Sequence, residues 1–575
     1  MSKFRWLIAI PPLAALCACA TASPPPTATA RAAIPAPSGG ASAYGLFLAG
    51  ESAMSSGRGD AAAAYFGRAA AVGAPADGQF LADQTFTAAL LAGDVKAAAQ
   101  FAPPGADASA EQRHLAGLTR GVEAMAEGQG AKARAILTSP DVGPPHDAAA
   151  ALLAPFAAAM AGDAEASISH PVITGNPVAQ FFASLDQGKL FEHAHRYDEA
   201  ETAYRALIAG GDPGGIASVA LGELLERRGR RADAVAIYDR ALGKGPGDGS
   251  LQEARARALA KAPVPPLPPL RQLAAESLIA PASVMIIQKQ DEVALVYLRL
   301  ALRLDPTRDS GWLLVGDILT DAGDLDGARA AYLVPKPGSD DYVDARGKLA
   351  WTYQNDGDKA AALKIATQTS AAVPGSRDAA TTLADLLQAD ERYNESAKVL
   401  DPLIAAEGAQ PDWRLLYMRA VDLQQTGDWA GAERDLTLAL KQKPDEPELL
   451  NFLGYSWIDR GEKLPQALAM VQKAVDDDPQ SGAMLDSLGW GYYRLGDYKT
   501  AVEKLEAAVV IEAGDPDVNN HLGDAYWRVG RRIEARFQWN RVLTLEPTPK
   551  LRAEVEAKLK NGLDAAPGPS VVAGS

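Results

Sequence analysis

Leu488-Gly489-Trp490-Gly491-Tyr492 is followed by Gly496, Tyr498, Ala501, Leu505 and Ala508. The next stretch keeps the spacing: Leu522-Gly523-Asp524-Ala525-Tyr526, then Gly530, Ala535, Trp539, Val542 and Pro547. The preceding one does too: Leu453-Gly454-Tyr455-Ser456-Trp457, then Gly461, Ala467, Val471, Ala474 and Pro479. The leading glycines at 454, 489 and 523 are 35 and 34 residues apart. A recurrence of that length, with apolar residues in two helical runs, predicts a helix–turn–helix unit stacked on copies of itself.

The pattern resembles the tetratricopeptide repeat, whose 34-residue unit has a small residue at position 8, Gly near 15, Ala at 20, a large residue at 24, Ala near 27 and Pro at 32. Small residues at 8 and 20 let the two helices of a unit touch. The large residue at 24 is expected to fill the gap to the next unit. Gly turns the backbone and Pro ends the second helix. Backwards, position 8 falls at Ala420, Ala384, Ala350, Gly316 and Ala282, with Gly427, Gly357 and Gly323 at turns and Ala432, Ala362 and Ala328 at position 20. Pro444, Pro374 and Pro306 close three of these units. Gly222, Gly229, Ala234, Tyr238, Ala241 and Pro246 mark another unit, and Ala200 with Tyr204 one more. Further upstream the match weakens through Gly188, Pro155, Gly121, Phe86 and Gly50, and Pro155 is awkward inside a helix. The resemblance implies an all-α helix–turn–helix solenoid of about fourteen repeats.

Between Gly222 and Ala282 the step is 60 residues, and it holds Ala262-Pro263-Val264-Pro265-Pro266-Leu267-Pro268-Pro269. That run is extended and semi-rigid. It divides an expected N-terminal arm, 43–260, from a C-terminal arm, 271–548, with 261–270 as linker. Residues 549–563 carry Leu551, Val555 and Leu559 at four-residue steps among charges, the pattern of a capping helix. Residues 564–575 read as a disordered tail.

At the other end, Lys3 and Arg5 precede an apolar stretch from Trp6 to Ala18 that is too short to span a bilayer and is broken by Pro11 and Pro12. Residues 1–18 therefore read as an export signal. Leu16-Cys17-Ala18-Cys19 resembles the bacterial lipobox, which implies lipidation of Cys19, an outer-membrane lipid anchor and a body in the periplasm. Ala20-Thr21-Ala22 offers an alternative cleavage site that would leave a soluble periplasmic protein. Residues 19–42 are rich in Pro and Ala and read as a flexible tether.

The formal charge is 56 − 72 = −16, which excludes a nucleic-acid partner and leaves the lipid as the membrane contact. Cys17 and Cys19 are the two cysteines, so the body has no disulfide, thiolate nucleophile or Cys-based metal site. His114, His146, His170, His193, His195 and His521 are scattered, and His193 and His195, two apart, point to different helix faces and read as surface polar positions. No catalytic motif, cofactor loop or metal site stands out, so a non-enzymatic scaffold is expected.

In this repeat family ligands meet positions 2, 5, 9 and 12 of the first helix. The resemblance places Asn451, Tyr455, Asp486, Trp490, Tyr493, Asn520, Asp524 and Trp527 in a partner-binding groove, with Glu448, Ile458, Ala483 and Asp517 beside them. Asp317, Asp344, Trp351, Asp378 and Asp385 take such positions in earlier units. Trp457, Tyr492 and Tyr526, at position 11, read as core. The groove is acidic with aromatic anchors, a surface that attracts a basic partner. Recognition of a terminal carboxylate is disfavoured, since Arg414 is nearly alone as a cation there. Residues 451–547 further resemble a group of proteobacterial outer-membrane repeat lipoproteins. That resemblance implies an adaptor that binds a periplasmic carboxyl-terminal processing protease and presents cell-wall hydrolases to it. A structural scaffold for polysaccharide export or outer-membrane assembly is the alternative.

Overall fold

The computed structural model describes residues 42–55, 58–72, 78–101, 109–171, 173, 175–243 and 249–563. The export signal, Cys19, the tether up to residue 41, Pro246 and the tail 564–575 lie outside them. Among the described residues there is no strand, and thirty helices make fourteen successive pairs with two single helices, α13 and α30. The first six pairs are α1 (Ala43–Ser55) and α2 (Gly59–Val72), α3 (Gly78–Ala92) and α4 (Val95–Phe101), α5 (Ala110–Ala126) and α6 (Gly130–Leu137), α7 (Asp147–Met160) and α8 (Ala164–Ser167), α9 (Pro177–His193) and α10 (Tyr197–Gly210), and α11 (Ile216–Arg227) and α12 (Arg231–Leu242). After α13 (Gly249–Leu259) come α14 (Leu270–Ile287) and α15 (Asp291–Leu304), α16 (Asp309–Asp321) and α17 (Leu325–Tyr332), α18 (Tyr342–Asn355) and α19 (Lys359–Ala372), and α20 (Arg377–Ala389) and α21 (Tyr393–Ala406). The last pairs are α22 (Trp413–Gln425) and α23 (Trp429–Gln442), α24 (Pro447–Arg460) and α25 (Leu464–Asp477), α26 (Gly482–Leu495) and α27 (Tyr498–Ile511), and α28 (Pro516–Arg528) and α29 (Arg532–Thr544), followed by α30 (Pro549–Asn561).

Local chemistry sets these boundaries. Turn glycines at 229, 323, 427, 496 and 530 have φ between 76° and 87°, the left-handed region where a Cβ is strained. Asp324, Asp428 and Asp497 cap the second helices of their units, and Ser376, Ser481 and Asp515 cap first helices. Pro447, Pro516 and Pro549 sit in first turns, where no N–H is needed.

Packing corrects the role expected of position 24. The large residue there lies over the position-8 glycine of its own unit: Phe66 over Gly50, Tyr204 over Gly188, Tyr238 over Gly222, Tyr332 over Gly316 and Trp539 over Gly523. Each glycine precedes its partner by sixteen residues, a step that Gly121 and Leu137 also keep where the sequence match had weakened. Helix α7 runs unbroken through Pro155. Its neighbours Leu152, Leu153 and Phe156 are fully buried, and burial worth about 1.5–3 kcal/mol per large side chain outweighs a kink costing about 3 kcal/mol.

Contacts divide the described chain into two compact units, one ending at Ile365 and one beginning at Ala366. The division falls within α19, not at the expected linker 261–270. In the first unit the chain reverses after α13, and α14 packs on α7 and α9 while α15 packs on α3 and α5. Leu273, Leu278, Leu298 and Leu302 share one core with Leu118, Leu153 and Phe156. Arg303 grips Glu123 through Nε and Nη2 at 2.7 and 2.8 Å, Lys189 Nζ meets Glu276 at 2.8 Å, and Ser277 Oγ donates to Asp186 at 2.5 Å. Helix α14 is long and apolar enough to cross a membrane by length and composition, and its Leu273, Ala274, Ala275, Leu278 and Ala282 serve this core. The second unit, from Ala366, stacks α20 to α30 on two cores, one around Leu449, Leu453 and Leu488 and one around Leu522, Trp539 and Val555.

Candidate functional site

Helices α24, α26 and α28 are the first helices of three successive units, and the face they share holds all eight expected groove residues. Their environments differ. Asn451 is half-buried, and its Oδ1 has no hydrogen-bond partner among the described residues. Tyr455 is half-buried; burial and the carboxylates of Asp486, Asp459, Asp517 and Asp515 raise its pKa, so its phenol stays protonated as a donor. Glu448, Asp459 and Asp517 are exposed beside it.

Trp490 is enclosed rather than free. Its ring stacks on Tyr493 at 4.6 Å and 8° and on His521 at 4.2 Å and 16°. His521 is buried and directs Nδ1 to both Asp486 oxygens, at 2.9 and 3.0 Å. Burial opposes charge on this imidazole, but Asp486, Asp517 and Asp524 outweigh it and raise its pKa to about 9. The imidazolium thus lies on the Trp490 face, a cation–π contact as well as an ion pair. The Tyr493 hydroxyl accepts from Arg528 Nε at 3.3 Å.

The last three residues meet the capping helix. Lys558 of α30 is 4% exposed and donates to Asp524 Oδ2 at 2.8 Å, Asn520 Oδ1 at 2.9 Å and Glu554 Oε1 at 2.5 Å. The other Asp524 oxygen accepts from Trp539 Nε1 at 3.0 Å. Burial raises the Asp524 pKa and the Lys558 ammonium opposes that rise. Trp527 lies beneath Arg532, whose guanidinium carbon is 3.8 Å from the ring centre, and beside Gly562, where a Cβ would collide with it.

Two of these participants escaped the sequence reading. His521 follows Asp486 by 35 residues, one repeat, and so stands directly across from it. Lys558 is one of the charges between the apolar positions of α30, and only its placement over Asn520 and Asp524 reveals its use. Upstream, Ile458 is buried in the core, and Asp317 accepts from Tyr332 at 2.7 Å and Lys348 at 2.9 Å. Asp385 stays half-buried, its pKa pushed up to about 7 by burial and by Asp422. Trp457 and Tyr526 are buried as expected of position 11. Among the described residues no group of three or more His, Cys, Asp or Glu side chains is arranged to hold a metal ion.

With this geometry in view, comparison with known families is direct. The tetratricopeptide repeat model matches residues 185–249 and 417–482, and a TPR repeat model matches 491–530. These segments are tetratricopeptide repeats. A TPR repeat-containing protein of Pseudomonas aeruginosa is 35% identical over 113 residues, 20% of this chain and 19% of that protein. The match thus spans about a fifth of that relative's length. Among solved structures, the APC/C hetero-tetramer Cut9–Hcn1 is similar at 15% identity, covering 90% of this chain and 96% of that one, with a TM-score of 0.38. A tetratricopeptide repeat protein from Parabacteroides merdae is similar at 14% identity, covering 44% of this chain and 97% of that one, with a TM-score of 0.37. Tetratricopeptide repeats are protein-interaction scaffolds.

Proposed function

We propose that this chain is a non-catalytic adaptor of the bacterial cell envelope that holds a periplasmic processing protease and its cell-wall hydrolase substrates together. The observation that carries the reading is the face of α24, α26 and α28. It is lined by Glu448, Asp459 and Asp517 at its exposed positions and by Tyr455 between them. The position where this face is covered is filled by a lysine of the chain itself. A partner segment carrying Lys or Arg next to an apolar side chain fits the same chemistry. An adaptor of this kind acts by raising effective concentration, not by bond-making. Lipidation of Cys19 would confine that action to the outer membrane.

The test is affinity capture from detergent-solubilised envelope with the tagged full chain, read by mass spectrometry. The paired substitution Glu448→Lys, Asp459→Lys reverses charge at exposed positions and spares the enclosed Trp490 stack. Recovery of a processing protease with hydrolases, reduced several-fold by the pair, is the expected result. Recovery of polysaccharide-export or barrel-assembly proteins without a protease would instead favour a structural scaffold.

A further inference from the structure

The proline-rich run is seated on the N-terminal repeats as a peptide ligand would be. Three of its carbonyls accept hydrogen bonds from repeat side chains. Arg231 Nη2 donates to Ala262 O at 3.0 Å, Arg227 Nη1 to Pro265 O at 3.2 Å and His193 Nε2 to Pro268 O at 2.8 Å. The accepting residues are three apart, the period of a polyproline II helix. Pro269 has φ −56° and ψ 151°, close to that conformation. Five prolines in the eight residues restrict both themselves and the residues before them to it.

Two of the three donors carry a matching period, and Arg231 begins α12 in the same unit as Arg227. His193 and Arg227 each end the first helix of their units, 34 residues apart. The two helix ends are bridged, since Arg227 Nη2 also reaches Glu192, the residue before His193, at 2.9 Å. One polyproline II turn advances about 9 Å, and the acceptors Pro265 and Pro268, one turn apart, meet donors one repeat apart. One repeat therefore meets one turn. Proline offers no N–H, so a reader of such a strand must present donors, and these three side chains do. Beneath the strand a cavity of about 190 Å³ remains, bordered by Leu267, Pro268, Leu185 and Val219.

The geometry points to a polyproline II reader in the N-terminal arm: His193, Arg227 and Arg231 recognise an extended proline-rich strand at its carbonyls, with residues 262–268 as the resident occupant. A proline-rich peptide of the same chemistry binds the same groove once that occupant is removed.

The test uses the full chain with residues 262–269 replaced by an equal length of Gly and Ser. A fluorescein-labelled peptide, Ala-Pro-Val-Pro-Pro-Leu-Pro-Pro, is titrated by anisotropy. Saturable binding is expected, at least tenfold weaker after His193→Phe with Arg227→Gln and at least tenfold weaker for a peptide with alanine at the five prolines. Absence of binding by a replaced chain that keeps its helix content and a cooperative melt overturns the proposal, as does binding indifferent to those side chains. If the replaced chain does not fold, trypsin cleavage after Lys261 decides. His193→Phe with Arg227→Gln in the otherwise unaltered chain should accelerate it at least fivefold, and equal rates overturn the proposal.

Discussion

The position-8 glycines act as contact sites between paired helices. A Cβ on Gly222 would collide with the Tyr238 ring, which is fully buried and tied at its hydroxyl to Glu226 at 3.0 Å. Gly222→Ala is expected to destabilise by roughly 1–3 kcal/mol through overpacking, read as a lowered urea midpoint by circular dichroism, and Tyr238→Leu in the same chain to recover part of the loss. His521 behaves differently because its effect depends on pH. Its folded pKa of about 9 lies above the ordinary imidazole value of 6.5, so its pair with Asp486 stabilises fully below about pH 6.5 and is lost as pH rises through 9. Hydrogen exchange of α26 and α28 should therefore quicken between pH 7 and pH 10 beyond the intrinsic rate. His521→Gln should remove most of that added pH dependence; an unchanged profile would sink the assignment.

Helix α30 shows how an element gains a second role. Leu551 and Val555 close the apolar end of the stack, as the four-residue spacing predicts. The same helix also delivers Lys558 to Asn520 and Asp524. Lys558→Met leaves Asp524 buried with Trp539 Nε1 as its remaining partner. The expected cost is about 3 kcal/mol, the range for breaking a buried pair from one side. The substitution should loosen α30 and α28 together in hydrogen exchange. Adding Asp524→Asn should restore part of the stability, since no uncompensated charge then remains. A loss confined to α30 would mean that the lysine only packs.

Within the first unit, tertiary contacts join stretches far apart in the chain. Glu123 and Arg303 are 180 residues apart and doubly bonded, and His146 Nδ1 lies 3.0 Å from Tyr297 OH across 151 residues. The apolar faces of α14 and α15 find their cover on α3 to α9, which is why the proline run does not separate two bodies. A double-mutant cycle with Glu123→Gln and Arg303→Gln is expected to show a coupling of roughly 1–3 kcal/mol in urea unfolding. Zero coupling would mean that the hydrophobic contacts alone hold the reversal.

Repeat length, helix pairing and the capping helix were legible because each depends on local spacing: glycine and alanine where helices touch, glycine at the turn, proline past the end. The same spacing puts the eight expected groove residues on α24, α26 and α28. It left unread that Trp490 is enclosed by Tyr493 and His521, since ring stacking across repeats depends on how adjacent helices rotate. It also left unread that Lys558 serves Asp524, because a charge on an amphipathic helix has the same sequence pattern whether it meets water or a carboxylate. The reversal at residues 261–270 was the least legible feature. Proline dictates an extended backbone there, but its direction is set by where the buried faces of α14 and α15 and the donors His193, Arg227 and Arg231 lie, and those are long-range contacts that only the folded chain brings together.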